Sequence, residues 1–208
     1  IIINIYTLEI TDIKTLITDF ESAIIDKNFQ LINNIFNNVD LVIFDGAEFP
    51  ESEETLLNLV LGIENDTLIG FLVQDSANYA DWTPETKIYK AEFRSKSSIE
   101  YPDFSENYTI SEISEHENYI SEELAASRLI FWEDTKNDWI EENLNSGDFV
   151  RFFEIPKATF DENSPNYFKL ARREISNTID LIIENNAGLY DTVRPVPPFP
   201  PKTKWPVV

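Results

Sequence analysis

The chain has no cysteine and no methionine, a single histidine, five glycines, and 16 basic residues against 38 acidic ones. Without cysteine there is no disulfide, no thiolate nucleophile and no Cys-ligated metal, so a disulfide-stapled secreted mini-fold is excluded and a reducing, cytoplasmic setting fits. The lone His116 removes His-rich metal sites and leaves acid–base chemistry to one residue or to carboxylates. Gly46, Gly62, Gly70, Gly147 and Gly188 stand too far apart to build a phosphate-cradling loop, a dinucleotide fingerprint or a nucleophile elbow. No apolar run approaches the ~20 residues of a membrane span. The absence of methionine at position 1 points to a start upstream of Ile1.

What is abundant is negative charge. The formal net charge is −22, which opposes binding to nucleic-acid phosphates or anionic lipid and favours a basic protein partner. The charge is unevenly spread: residues 1–127 carry 25 acids against six Lys/Arg, and residues 128–208 carry 13 against ten. At 208 residues and 42% apolar content the chain is long enough for a full core, and one domain over residues 1–190 followed by a Pro-rich arm over 191–208 is expected.

Apolar periodicity predicts a strand over residues 1–8, a helix capped by Thr11 with Ile13, Leu16, Ile17, Phe20 and Ile24 inward, and a second helix through Phe29, Ile32, Phe36 and Val39. Leu41 to Phe44 reads as a central strand covered on both faces, Ser52 to Ile63 as a helix, and Thr67 to Val73 as another buried strand, an order typical of a partly parallel sheet. Tyr89 to Arg94 alternates as an antiparallel or edge strand should. Ser121 caps a short helical turn, Leu129 to Trp132 reads as a strand, Thr135 opens a helix stopped by Gly147, and Phe149 to Ile155 is the last strand. The clearest element is a helix over residues 164–187, bounded by Ser164, Pro165 and Gly188 and striped by Phe168, Ala171, Ile175, Ile179 and Ile182. The expected fold is α+β (mixed α/β): a central mixed sheet of about six strands flanked by helices, with that long C-terminal helix packed on it and the Pro-rich tail across the surface.

One segment stands out as a candidate partner-binding surface. Between Lys96 and Arg128 no basic residue occurs, while Glu100, Asp103, Glu106, Glu112, Glu115, Glu117, Glu122 and Glu123 are interleaved with Tyr101, Phe104, Tyr108 and Tyr119. Carboxylates accept paired hydrogen bonds from Arg and Lys, and Tyr rings supply rigid contact area and faces for cations. Tyr108 and Tyr119 are the expected aromatic anchors. A solvated acidic face is the plainer reading of such a run. His116 sits between Glu115 and Glu117, which would raise its pKa without giving it a catalytic partner. Asp45 with Glu48, placed after a buried strand, is a candidate magnesium-binding pair, though an Asp capping a turn explains Asp45 as well. Arg194 to Lys202 fits a polyproline ligand, or a packed terminal arm.

No catalytic or metal-ligating constellation is apparent, so no enzyme activity, cofactor or metal is expected. In composition and size the chain resembles the acidic immunity proteins that bacteria use to neutralise toxins, especially nucleases with cationic active-site clefts. That resemblance implies an inhibitor of a basic toxin acting by tight protein–protein binding, with no role for nucleic acid or membrane. The alternatives are a carboxylate-based, magnesium-dependent enzyme centred on Asp45 and Glu48, and an adaptor that presents its polyproline tail.

Overall fold

The structure, a computed structural model, describes residues 9–46, 56–74, 77–95, 119–174, 178–191 and, for the backbone, 194–196. Residues 1–8 and the proposed helix start at Ser52 lie outside these. Helices α1 (Ile10–Ile25) and α2 (Phe29–Asn37) form where the apolar stripes predict them, with Ile13, Ile17, Phe20, Ile24, Ile32 and Phe36 buried. The α1 helix starts one residue ahead of Thr11, whereas α2 is capped by Asn28, whose Oδ1 accepts from the Leu31 amide at 3.2 Å.

Two antiparallel sheets follow. One has the order β1–β6–β7–β8, built from Leu41–Asp45, Pro165–Arg172, Ile179–Asn185 and Gly188–Tyr190. The other has the order β4–β3–β2–β5–β9, from Ile88–Glu92, Thr67–Val73, Leu56–Glu64, Phe152–Pro156 and Arg194–Val196. They join at one corner, where Leu41 of β1 and Arg94 beyond β4 exchange backbone hydrogen bonds of 2.7 and 3.1 Å. The mixed α+β class agrees with expectation; a single six-stranded sheet with parallel crossovers does not.

Three elements differ from their sequence patterns, each for a physical reason. Where a helix over 164–187 is expected, residues 165–172 and 179–185 are strands β6 and β7, and Ile175 lies outside the described residues: Phe168, Leu170, Ile179, Leu181 and Ile183 face the main core, while Ala171 and Ile182 pack on the opposite side. A strand buried on both faces has no wet side to show, so its near-continuous apolar run also satisfies helical spacing. Pro165 opens a strand, a position that needs no donor. The same ambiguity hid β2, where Leu57, Leu59, Leu61 and Ile63 enter the main core and Val60 packs beneath α1. Strands β2 and β3 are joined by Asn65 and Asp66, both at positive φ (50° and 59°), which suits the right-handed twist of a hairpin. Gly62 lies where α1 crosses this hairpin; a Cβ there would come within 3.2 Å of the Leu16 carbonyl oxygen.

The third difference is the longest element in the described chain. Residues 122–146 form one 25-residue helix, α3 (Glu122–Ser146), rather than a turn, a strand and a shorter helix. Ser121 caps it, its Oγ accepting from the Leu124 amide, and Gly147 ends it at φ 84°, as both residues suggest in the sequence. Leu129 to Trp132 is part of this helix, and of its side chains Trp132 alone is fully buried. Strand β1 was expected at the centre of a sheet and instead closes one edge, where the Arg94 bridge covers part of its free side.

The main core lies between the two sheets and is completed by α2 and α3 through Ile32, Ile35, Phe36, Trp132, Trp139 and Ile140. Helix α1 covers the outer face of the second sheet, with Ile13 and Ile17 on Val60, Ile69, Phe71 and Val73. The backbone of Arg194–Val196 pairs with β5, so the Pro-rich arm begins as a sheet edge. If residues 179–185 form a strand buried on both faces, Ile183→Ala, at a site with no exposed surface, lowers unfolding stability by about 2–5 kcal/mol. Equilibrium urea melts measure this, and an unchanged midpoint would contradict the arrangement.

Candidate protein-interaction site

Of the residues singled out in the sequence, Glu100, Asp103, Glu106, Tyr108, Glu112, Glu115 and Glu117 lie outside the described residues, as do His116 and Glu48. Tyr119, Glu122 and Glu123 lie inside, at the point where the acidic segment joins the first sheet. Tyr119 forms an antiparallel bridge with Tyr190, and the adjoining Ile120 amide donates to the Leu189 carbonyl at 3.0 Å. Burial, together with the carboxylates of Glu122 and Glu123, pushes the Tyr119 phenol above its ordinary pKa. It therefore remains a neutral hydrogen-bonding group. Glu122 and Glu123 are exposed in the first turn of α3, where the helix dipole favours negative charge.

Asp45 ends β1, opposite Pro165 in an antiparallel ladder. The rule placing ligand sites at the carboxyl ends of parallel strands therefore does not apply to it. Among the described residues no group of three His, Cys, Asp or Glu is placed to hold a metal ion, and no helix is long and apolar enough to cross a membrane.

Beside Tyr119, four charged side chains tie α3 to the ends of β6, β7 and β8. Arg173 donates through Nε to Asp180 Oδ2 at 2.9 Å and through Nη2 to Asp191 Oδ1 at 2.8 Å, and Arg128 of α3 donates to Asp191 Oδ2. Asp180 is 2% exposed and also accepts from the Leu181 amide at 2.9 Å. Burial, reinforced by the neighbouring Asp191 charge, raises the Asp180 pKa to about 7. Burial acts on Asp191 too, but hydrogen bonds from Arg128 and Asp180 and the two guanidinium charges outweigh it and hold Asp191 below the usual carboxylate range. The pair holds its proton on Asp180.

This arrangement shapes the outward face of α3. The helix carries seven carboxylates and two cations, and both cations are withdrawn: Arg128 to Asp191, and the nearly buried Lys136 to Glu133 at 2.7 Å. Arg172, on one flank, lies over the Phe131 ring at 5.3 Å and donates to Thr135 Oγ1 at 2.8 Å, close enough to Asp138 and Glu142 to feel their charges. At about 100° per residue, Glu133, Ile130, Glu123, Glu141, Asp134 and Asp138 follow one another around the exposed arc. Ile130 is 60% exposed and lies within this row of carboxylates rather than at the core boundary. From Glu123 to Glu141 the face runs about 27 Å along the helix. It was missed in the sequence because Leu129 to Trp132 read as a strand and split the helix. The available signal was the lack of any Pro or Gly between the Ser121 cap and the Gly147 stop.

The Asp180 shift predicts a pH dependence with a definite sign. Folded Asp180 keeps its proton up to about pH 7, whereas in the unfolded chain it loses it near pH 4. Between these values the folded state binds the extra proton, so this group's contribution to stability falls as pH rises, by at most about 1.4 kcal/mol per unit. Asp191 acts in the opposite sense only below about pH 4. Asp180→Asn keeps an acceptor for Arg173 and removes the titration, so its stability profile between about pH 4 and 7 is flatter than the parent's. Urea melts across that range test this, and parallel profiles would contradict it.

The fold and the face were compared with protein-family models, with curated proteins and with solved structures, and none of the three comparisons returned a match.

Proposed function

We propose that the chain is an acidic protein-binding module of the immunity type, which neutralises a basic toxin such as a nuclease by tight protein–protein binding. The binding surface would comprise the outward face of α3 and the adjoining acidic, aromatic segment over residues 100–123. One observation carries this reading: Ile130 lies exposed among carboxylates on a helix whose two cations are turned away. Single exposed apolar side chains are common, and Ile25 is another here; what marks Ile130 is its place among carboxylates. A docking face has a use for such a side chain, because exposed charges steer a basic partner while a central apolar side chain, desolvated on contact, slows its departure.

The test uses the copurifying basic protein from the native source and measures binding kinetics at several salt concentrations. Association slows steeply with salt, since charges beyond about 8 Å are screened at physiological ionic strength. Reversing Asp134, Asp138 and Glu141 to Lys lowers the association rate at least tenfold at low salt. Ile130→Ala mainly speeds dissociation, by roughly five- to thirtyfold for a loss of about 1–2 kcal/mol, and leaves the fold's stability within about 0.5 kcal/mol. Unchanged binding by both variants would exclude α3 from the interface.

A further inference from the structure

A groove lies beside this face. It is lined by α2 and by the β2–β3 hairpin tip at Asp66, has a volume of about 920 Å³ and is open to solvent. Its lining joins the carboxamides of Gln30, Asn33, Asn34, Asn37 and Asn38, which recur with the turns of α2, to the apolar Phe29 and Leu31. Helices α2 and α3 run antiparallel, joined by Asn37 Nδ2 donating to Asn137 Oδ1 at 2.9 Å and by Lys27 Nζ donating to the Asn145 carbonyl at 3.1 Å. Asn137 lies one helical turn from both Glu133 and Glu141, so the groove and the carboxylate face are continuous.

One amide of the lining carries an unmet hydrogen-bonding demand on its inner side. Asn33 is half-buried, and its Oδ1 is shielded from solvent without a donor among the described residues. Leaving such an acceptor unpaired costs about 1–3 kcal/mol, so a native structure that keeps one calls for an explanation. A half-turn of the terminal torsion, which is broad for Asn, would exchange Oδ1 and Nδ2 and bring the acceptor out to the groove. Among the described residues the lining has no cation to favour an anion, and no His or Cys. Carboxamides present a donor and an acceptor side by side, the pattern that a peptide unit presents in return.

We infer that this groove receives an extended basic segment of the partner protein, its main chain against the α2 amides and its cationic side chains toward Asp134 and Glu141. The inference rests on the reading of α3 as a cation-capturing face. Nine residues of α2 span about 13 Å, the length of about four extended residues. Main-chain pairing supplies contact that charge alone does not, and Asp66 adds a negative group at the opposite wall.

An acetylated, amidated octapeptide of alternating Arg and Ala serves as the probe, compared with its fully N-methylated counterpart, which has the same charge and side chains but no main-chain N–H. At low salt the unmodified peptide shifts the side-chain amide signals of Asn33 and Asn34 in 1H–15N spectra and binds roughly tenfold tighter than the methylated one, the equivalent of one or two hydrogen bonds. In the Asn33→Ala, Asn34→Ala double variant the two peptides bind alike. That variant's urea midpoint, unchanged or raised because an unpaired acceptor has been removed, shows that the loss is not one of folding. Equal binding of both peptides to the parent, with shifts confined to α3, would overturn the groove and leave the carboxylate face standing. Binding of neither peptide would overturn both.

Discussion

The rotation of α3 about its own axis is the constraint on which the rest depends, and it is set by aromatic packing. Trp132 and Trp139 lie seven residues apart, two turns, and their rings meet edge to face at 5.6 Å. Trp139 packs against Phe149 at 4.9 Å with the ring planes inclined by 55°, and Phe36 of α2 closes the group at 6.2 Å from Trp132 and 5.7 Å from Phe149. Such pairs each add about 0.5–1.5 kcal/mol beyond the area they bury. Turning the helix by one residue would expose both indoles and drive carboxylates toward the core, a far larger cost. Once the tryptophans are seated, Arg128 and Lys136 lie along the edges of the buried seam, and Ile130 with its flanking acids must point outward.

The distribution of cations follows from that geometry and reinforces it. Arg128 and Arg173 meet Asp191 and Asp180, Arg151 meets Glu21 at 3.0 Å, Lys157 meets Glu162 at 2.8 Å, and Lys169 meets Glu184 across β6 and β7. Exposed pairs of this kind contribute little to stability; the half-buried ones at strand ends act chiefly by fixing where elements meet. Their effect on the outward field is larger. Lys136 offsets Glu133, and Arg172 lies near Asp138 and Glu142, so the outward field comes chiefly from the remaining α3 acids, Glu122, Glu123, Asp134 and Glu141; Asp134 and Asp138 also repel each other at four-residue spacing, by about 0.2–0.5 kcal/mol. On the proposed reading, a basic partner would relieve this repulsion on binding.

How much of this was legible in the sequence depended on whether an element has a wet side. Helices α1 and α2 and strand β4 each show water one face, and their periods were readable. Strands β6, β7 and β2 are buried on both faces, so Phe168, Ala171, Ile179 and Ile182 satisfied a helical stripe that the chain does not use. The β-branched run at Ile179, Ile182 and Ile183 was the clue favouring strands. Helix α3 failed in the opposite direction: its buried seam rests on two large indoles rather than on a row of Leu and Ile, so its apolar period is weak over much of its length. The candidate site inherited that error. Charge counting led to residues 100–123, whose last members adjoin the face, but no count reveals that Arg128 and Lys136 are turned inward or that Ile130 is turned outward.

Charge alone makes a poor inhibitor. A face of carboxylates attracts every basic surface, nucleic-acid-binding proteins of the host included, and its attraction weakens with salt. Discrimination requires interactions that depend on shape and on paired hydrogen bonds, because their loss leaves buried groups unpaired when the wrong partner docks. On this face the features with that property are the uncharged ones: Ile130, which must find an apolar recess between cations, and the amides of α2, which must find a main chain in an accessible, extended form. On the proposed reading, the acids would set how fast a partner arrives, and the neutral groups beside them which partner stays.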